Sequence, residues 1–80
     1  MYFVYVLRNP AGRLYVGATA DLAERLRRHQ AGEAGWTRTR GPWTLVHQEQ
    51  FDSLADATRR ERQLKGGHAN QALRRRLAGR

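Results

Sequence analysis

Five residues in this 80-residue chain could act together on a phosphate: Tyr5, Tyr15, Arg25, His29 and Glu61. An arginine fork matches two phosphate oxygens. A carboxylate can hold a hard divalent cation, which keeps several waters and so needs few protein ligands. A phenol beside a cation, or an imidazole, can move a proton near neutral pH. Arg25 and His29 share a stripe with Leu22 and Leu26, the i, i+3, i+4, i+7 spacing of one helix face. Glu61 interrupts a second stripe made of Leu54, Ala57, Thr58, Leu64 and Lys65. Burying either charge is costly without a partner. Two arrangements would supply one: an Arg25–Glu61 salt bridge, or a site in which Glu61 holds a metal and Arg25 clamps a phosphate. Spacing alone leaves both open.

The elements that must position these groups follow from pattern. Residues 2–8 are apolar on both alternating faces, as in a strand covered on both sides. Asn9 to Gly12 has turn composition. Residues 13–18 return as the second strand of a hairpin, with Tyr15 and Gly17 on one face. Gly17 lacks a side chain and would leave room beside Tyr15 for a ligand. Whether Tyr5 joins that face depends on the hairpin register. Asp21 and Glu24 form a capping box for a helix over about 22–30, which Gly32 can end. Residues 31–42 form a long loop with Trp36 between basic residues, Arg38 and Arg40 among them, the composition of a nucleic-acid contact. Residues 43–51 read as a third strand, at an edge, with Leu45, His47, Glu49 and Phe51 on one face. His47 has no ligand partner at metal-binding spacing and is assigned a structural or exposed place. Ser53 and Asp56 cap a second helix that Gly66-Gly67 stops, with Arg59, Arg60, Arg62 and Gln63 turned away from its stripe. Asn70 caps a short basic helix over about 70–78.

Charge narrows the partners. The net charge is +8, and from Ala57 onward eight Lys/Arg stand against one acid, a net +7. Such a surface suits a polyanion, DNA or RNA, with a membrane surface the weaker fit. With no cysteine, disulfides and thiolate metal sites are excluded, which fits a reducing cytoplasm. The longest apolar run, Tyr2 to Leu7, is too short for a membrane span or a signal segment. The reading is one α/β (α+β) domain over 1–80, with a core at about 2–67, acting as a monomer or weak homodimer.

The ordered motifs also resemble a known family. Val4-Tyr5-Val6, Tyr15-Val16-Gly17, then Thr19, Asp21, Leu22, Arg25, Leu26 and His29, and finally Arg60-Glu61 through Leu64-Lys65-Gly66, are similar to the GIY-YIG nuclease superfamily and to its small single-domain bacterial members. The resemblance implies a three-stranded antiparallel sheet flanked by helices, in the order β-β-α-β-α-α. It implies that Tyr5 and Tyr15 are the signature tyrosines, one helping to activate water, and that Gly17 is the glycine of the second motif. Arg25 would stabilise the scissile phosphate, His29 would assist proton transfer, and Glu61 would bind one divalent metal, Mg²⁺ or Mn²⁺. The resemblance is also what favours DNA over RNA. The reaction would be endonucleolytic hydrolysis of DNA, of unusual structures or in repair, with Arg27, Arg59, Arg62 and Lys65 contacting backbone phosphates. The alternative is a non-catalytic nucleic-acid-binding module on the same fold. The first signature reads Val-Tyr-Val here. Asn70 is not given the role of the asparagine that larger members carry after the metal glutamate. The attached module that selects targets in larger members is not expected.

Overall fold

In the computed structural model, which describes residues 1–32 and 40–78, the chain runs β1 (Tyr2–Arg8), β2 (Leu14–Thr19), α1 (Leu22–Gln30), β3 (Thr44–Phe51), α2 (Leu54–Lys65) and α3 (Gly67–Ala78). The strands form one antiparallel sheet in the order β2-β1-β3. β1 is central, and Val4, Tyr5, Val6 and Leu7 are all fully buried, as its two apolar faces require. The hairpin turn is held by Asn9, whose Oδ1 accepts from the Arg13 amide at 2.8 Å, and Gly12 takes φ +84°. Asn9 Nδ2 also donates to the Arg40 carbonyl at 3.0 Å, so the turn anchors the far end of the 31–42 segment. Trp36 and Arg38 lie outside the described residues.

Alternation along β1 sorts the molecule into two layers. Val4 and Val6, with Val16, face Ala57, Leu64, Leu73 and Leu77, so α2 and α3 cover the valine face. Tyr5 and Leu7 face the other way, where Leu22 and Leu26 of α1 pack with Tyr15, Trp43 and Leu45. Among the described residues no helix is long and apolar enough to cross a membrane.

Three local expectations need correction. Leu45 does not share a face with His47. Val6 pairs with His47 and Leu7 with Leu45, so Val46 is an extra residue, and this bulge turns Leu45 to the tyrosine face. The capping boxes are half made. Asp21 Oδ1 accepts from Glu24 N at 3.1 Å and Ser53 Oγ from Asp56 N at 3.1 Å. The acids do not reach back: Glu24 pairs with Arg27 at 2.9 Å and Asp56 with Arg59 at 3.2 Å. Thr19 Oγ1 accepts the Asp21 N–H instead. Finally, α3 begins at Gly67, not at Asn70. Gly67, at φ +70°, turns the chain at once into the next helix. Asn70 Nδ2 donates to the Leu64 carbonyl at 2.6 Å, satisfying the end of α2, and its Oδ1 accepts from Arg74 Nε at 3.0 Å.

Candidate active site

The hairpin register settles the tyrosines. Tyr5 lies opposite Gly17 and Tyr15 opposite Leu7, so both phenols stand on one face, with ring centroids 6.2 Å apart. Gly17 is needed there. A Cβ at this position would lie 2.4 Å from Tyr5 Oη and 2.6 Å from Cζ. The space read beside Gly17 is therefore filled by the Tyr5 phenol and is not open to a ligand, which corrects its assignment as a nucleic-acid contact.

α1 brings its stripe onto this face. Its capped start fixes the helix at the end of β2, and Leu22 and Leu26 pack it down. His29, one turn beyond Arg25, is 3% exposed. Its Nε2 lies 2.9 Å from Tyr5 Oη, and its ring centroid is 4.9 Å from that of Tyr15. Arg25 is half-buried and close enough for its charge to act on Tyr5. Four of the five residues named at the outset thus meet in one place.

Electrostatics assigns them different states. Burial pushes the Tyr5 phenol up to about 12, and the neighbouring Tyr15 adds to this, while Arg25 offsets part of it. Burial lowers the His29 pKa from its ordinary 6.5, and the Arg25 and Arg28 charges lower it further. A neutral imidazole and a neutral phenol result. Letting the phenol donate to Nε2 places the ring proton on Nδ1.

Trp43 is the member that sequence reading missed. It is 2% exposed and its ring centroid lies 6.4 Å from that of Tyr15. Gln30 at the end of α1 grips its backbone at two points. Its Oε1 accepts from the Trp43 N–H at 3.4 Å, and its Nε2 donates to the Trp43 carbonyl. An aromatic opening a strand was the available signal. Its contact with Tyr15 comes from tertiary packing.

Glu61 comes from the other layer. It belongs to α2, which covers the valine face. Its side chain is 21% exposed and pairs with Lys65 at 2.8 Å. Among the described residues no ion pair joins Arg25 to Glu61, so the salt-bridge reading is not realised. Among them, too, no three His, Cys, Asp or Glu residues cluster as a metal site. The donor chemistry still fits a hard cation held by one carboxylate. Its ion-pair partner Lys65 is an exposed and movable side chain that a cation can displace.

The basic residues divide as well. Arg27, Arg59 and Lys65 each sit in an exposed one-turn ion pair, and Arg62 is exposed. Arg60 does not point away from the fold. Its Nε and a terminal nitrogen donate to the two Glu49 oxygens at 2.8 and 3.1 Å. Arg60 and then His47 hold that carboxyl below its ordinary value against the opposing effect of burial. His47 continues the chain. Its Nε2 meets Glu49 Oε2 at 2.7 Å, and its Nδ1 accepts from Arg76 at 3.1 Å. It ties β3 to α3, while Glu49 and Arg60 tie β3 to α2.

Comparison with known proteins gives a consistent picture. Residues 1–76 match the family model described as the GIY-YIG catalytic domain. The chain is similar to a UPF0213 protein of Halobacterium salinarum, with 46% identity over 81% of this chain and 86% of that one. It is similar to a UPF0213 protein of Staphylococcus haemolyticus, with 38% identity over 90% and 89%. The solution NMR structure of a UPF0213 protein from Bacillus halodurans matches it with a TM-score of 0.56 and 34% identity, covering 91% of this chain and 81% of that one.

Proposed function

The chain belongs to the GIY-YIG catalytic-domain family, and from that premise we propose that it is a metal-dependent endonuclease that hydrolyses phosphodiester bonds in DNA. The family speaks for nuclease chemistry and nucleic-acid binding in general. The observation that carries the finer reading is the buried Tyr5–His29 hydrogen bond, with Tyr15 and Arg25 gathered around it.

β2 is an edge strand, so the two faces of the sheet meet along it. A phosphodiester laid against that edge would have Arg25 approaching from the tyrosine face and Glu61 from the valine face. Arg25 binds two of its oxygens and stabilises the charge that builds as the P–O bond breaks. Glu61 would hold a divalent cation, Mg²⁺ or Mn²⁺, which when bound supplies Lewis-acid stabilisation of the same charge. Tyr5 is a poor base, since it is fully buried and its phenol keeps its proton to about 12. Its part is a relay. Tyr15, half-buried and with its ring centroid 6.2 Å from that of Tyr5, takes a proton from the attacking water as it passes its own to Tyr5. Tyr5 in turn passes its proton to neutral His29 Nε2. Both phenols end neutral and the charge rests on the imidazole.

The test is cleavage of labelled duplex, single-stranded, flapped and branched DNA, and of RNA, with Mg²⁺, with Mn²⁺ and with chelator. Glu61→Gln should abolish metal-dependent products and spare binding. Arg25→Ala should lower the rate by about 10²–10³, as expected for losing one transition-state donor, while the melting temperature holds. An Arg25→Ala protein that merely unfolds would overturn the phosphate-clamp role. Salt-sensitive binding with no products from any protein would make the chain a nucleic-acid-binding module with the pocket as scaffold.

A further inference from the structure

The valine face carries two arginines, Arg8 and Arg74, whose charge is met by no acid among the described residues. A cavity of about 270 Å³ opens at the turn end of the sheet, lined by Arg8, Gly12, Leu14, Arg74, Leu77 and Ala78. None of these is acidic. Arg8 ends β1 and Arg74 lies on α3, so two arginines from distant parts of the chain line one largely apolar space. Four other cations of α2 and α3 are already engaged, Arg60 with Glu49, Arg76 with His47, Arg59 with Asp56 and Lys65 with Glu61, while Arg62 and Arg75 are exposed and line no part of this cavity. Arg8 and Arg74 make no ion pair among the described residues. Arg74 gives only its Nε to Asn70. That bond fixes the side chain and leaves the terminal nitrogens to form a fork.

We propose that Arg8 and Arg74 form a second, non-catalytic site for a backbone phosphate of nucleic acid. The inference rests on the nuclease reading and adds a contact on the opposite face of the sheet from the tyrosines. The volume falls below the roughly 300–1,000 Å³ of small-molecule pockets, which suits one phosphate better than a whole nucleotide. The fork geometry of arginine matches phosphate oxygens, and apolar walls concentrate the field of the two charges. The C-terminal end of α3 opposes an anion with about half a negative charge, which two whole guanidinium charges exceed. A nucleic acid held here and at the tyrosine pocket would be gripped on both sides of the sheet.

Binding is measured by fluorescence anisotropy of labelled duplex and branched DNA in chelator, across a salt series. The Arg8→Gln/Arg74→Gln double variant should bind several-fold more weakly, with a log–log salt slope shallower by about 0.9 for one lost phosphate. Arg75→Gln removes a charge from the same helix outside the cavity and should change the slope less than Arg74→Gln. Unchanged affinity and slope in the double variant would overturn the site, and a lowered melting temperature alongside would reassign both arginines to closing the end of α3. NMR titration of the wild-type protein with a short duplex separates this proposal from the function it rests on. Shifts at Arg8 and Arg74 together with Tyr15 and Arg25 support both. Shifts confined to the tyrosine pocket overturn only the second site. Shifts at neither overturn both. Titration with inorganic phosphate tests the source. Saturation of the Arg8–Arg74 shifts by phosphate, with no competition from duplex, would overturn the assignment to nucleic acid.

Discussion

The two faces of the sheet are cut from alternate residues of the same strands, yet they are built for different work. The valine face meets two helices through aliphatic side chains: Val4, Val6, Val16, Leu64, Leu73 and Leu77. Toward β3 its polar groups are paired, Glu49 being matched by Arg60 and His47. The tyrosine face meets one helix of nine residues. Its buried members are Tyr5, Leu7, His29 and Trp43, and two of these carry groups that exchange protons. Aliphatic contacts are non-directional and tolerate no water. The phenol and imidazole need each other at 2.9 Å, and they hold neutral forms because burial penalises charge. Separating the layers lets the fold draw stability from one side and keep a polar, partly open arrangement on the other.

The largest expected break in this division is at Leu64, 1% exposed in the valine face. Leu64→Ala should lower stability by about 2–5 kcal/mol, through lost burial and the cavity left behind. In a domain of this size each kcal/mol moves the melting temperature by about 4–8 °C. Leu26→Ala, in the half-buried layer of the tyrosine face, should cost less than half as much. Calorimetry of the two variants decides, and equal losses would show that α1 supports the fold as strongly as α2.

Next in size is Gly17→Ala. The added methyl meets the Tyr5 ring, and the two strands fix the backbone beneath it. Overpacking of this kind costs about 1–3 kcal/mol. Tyr5 must leave its place, so the bond to His29 breaks and the imidazole pKa should move back toward 6.5 in an NMR titration. Replacing Tyr5 by Leu in the same protein should recover part of the stability and none of the hydrogen bond. Two losses that simply add would mean that Tyr5 does not rest on Gly17.

Much of this architecture is local and could be read from sequence. The doubly apolar run of β1, the Asp21 and Ser53 caps and the Arg25–His29 stripe each depend on residues within a turn or two of one another. The features that escaped are long-range. Val46 bulges because β3 must follow the twist of β1, and a single extra residue moves Leu45 to the other face without altering the local pattern. Arg60 looks like a solvated helix arginine until β3 brings Glu49 beside it. Gly17 reads as a gap because its occupant, Tyr5, is supplied by the neighbouring strand. For the same reason, neither the shared face of the tyrosines nor the placing of Glu61 and Arg25 in different layers was legible beforehand: register and layer are properties of the assembled sheet.

The smallest effect is also the most selective, because it reads His29 alone in a window where the shifted carboxylates are silent. Folded His29 has a pKa below 6.5, from burial first and then the Arg25 and Arg28 charges. The unfolded chain therefore binds more protons between that lowered value and 6.5, and unfolding free energy must rise with pH across the interval. The contribution is complete above 6.5, is lost as pH falls below it, and levels off once the folded imidazole has also charged. Glu24 and Glu49 are lowered from 4.5, so the stability they add is present above 4.5 and is lost only as pH falls below that value. Denaturant melts at intervals from pH 7 to pH 5, compared with His29→Gln, isolate the term. The wild-type protein should lose stability relative to the variant as pH falls. Cleavage should decline over the same window, since a protonated imidazole cannot accept the Tyr5 proton. A stability difference that is flat with pH would mean that folded His29 titrates as it does in the unfolded chain, and a wild-type protein that gains stability relative to the variant as pH falls would mean that His29 is charged in the folded protein, leaving the relay through Tyr5 with no base at its end.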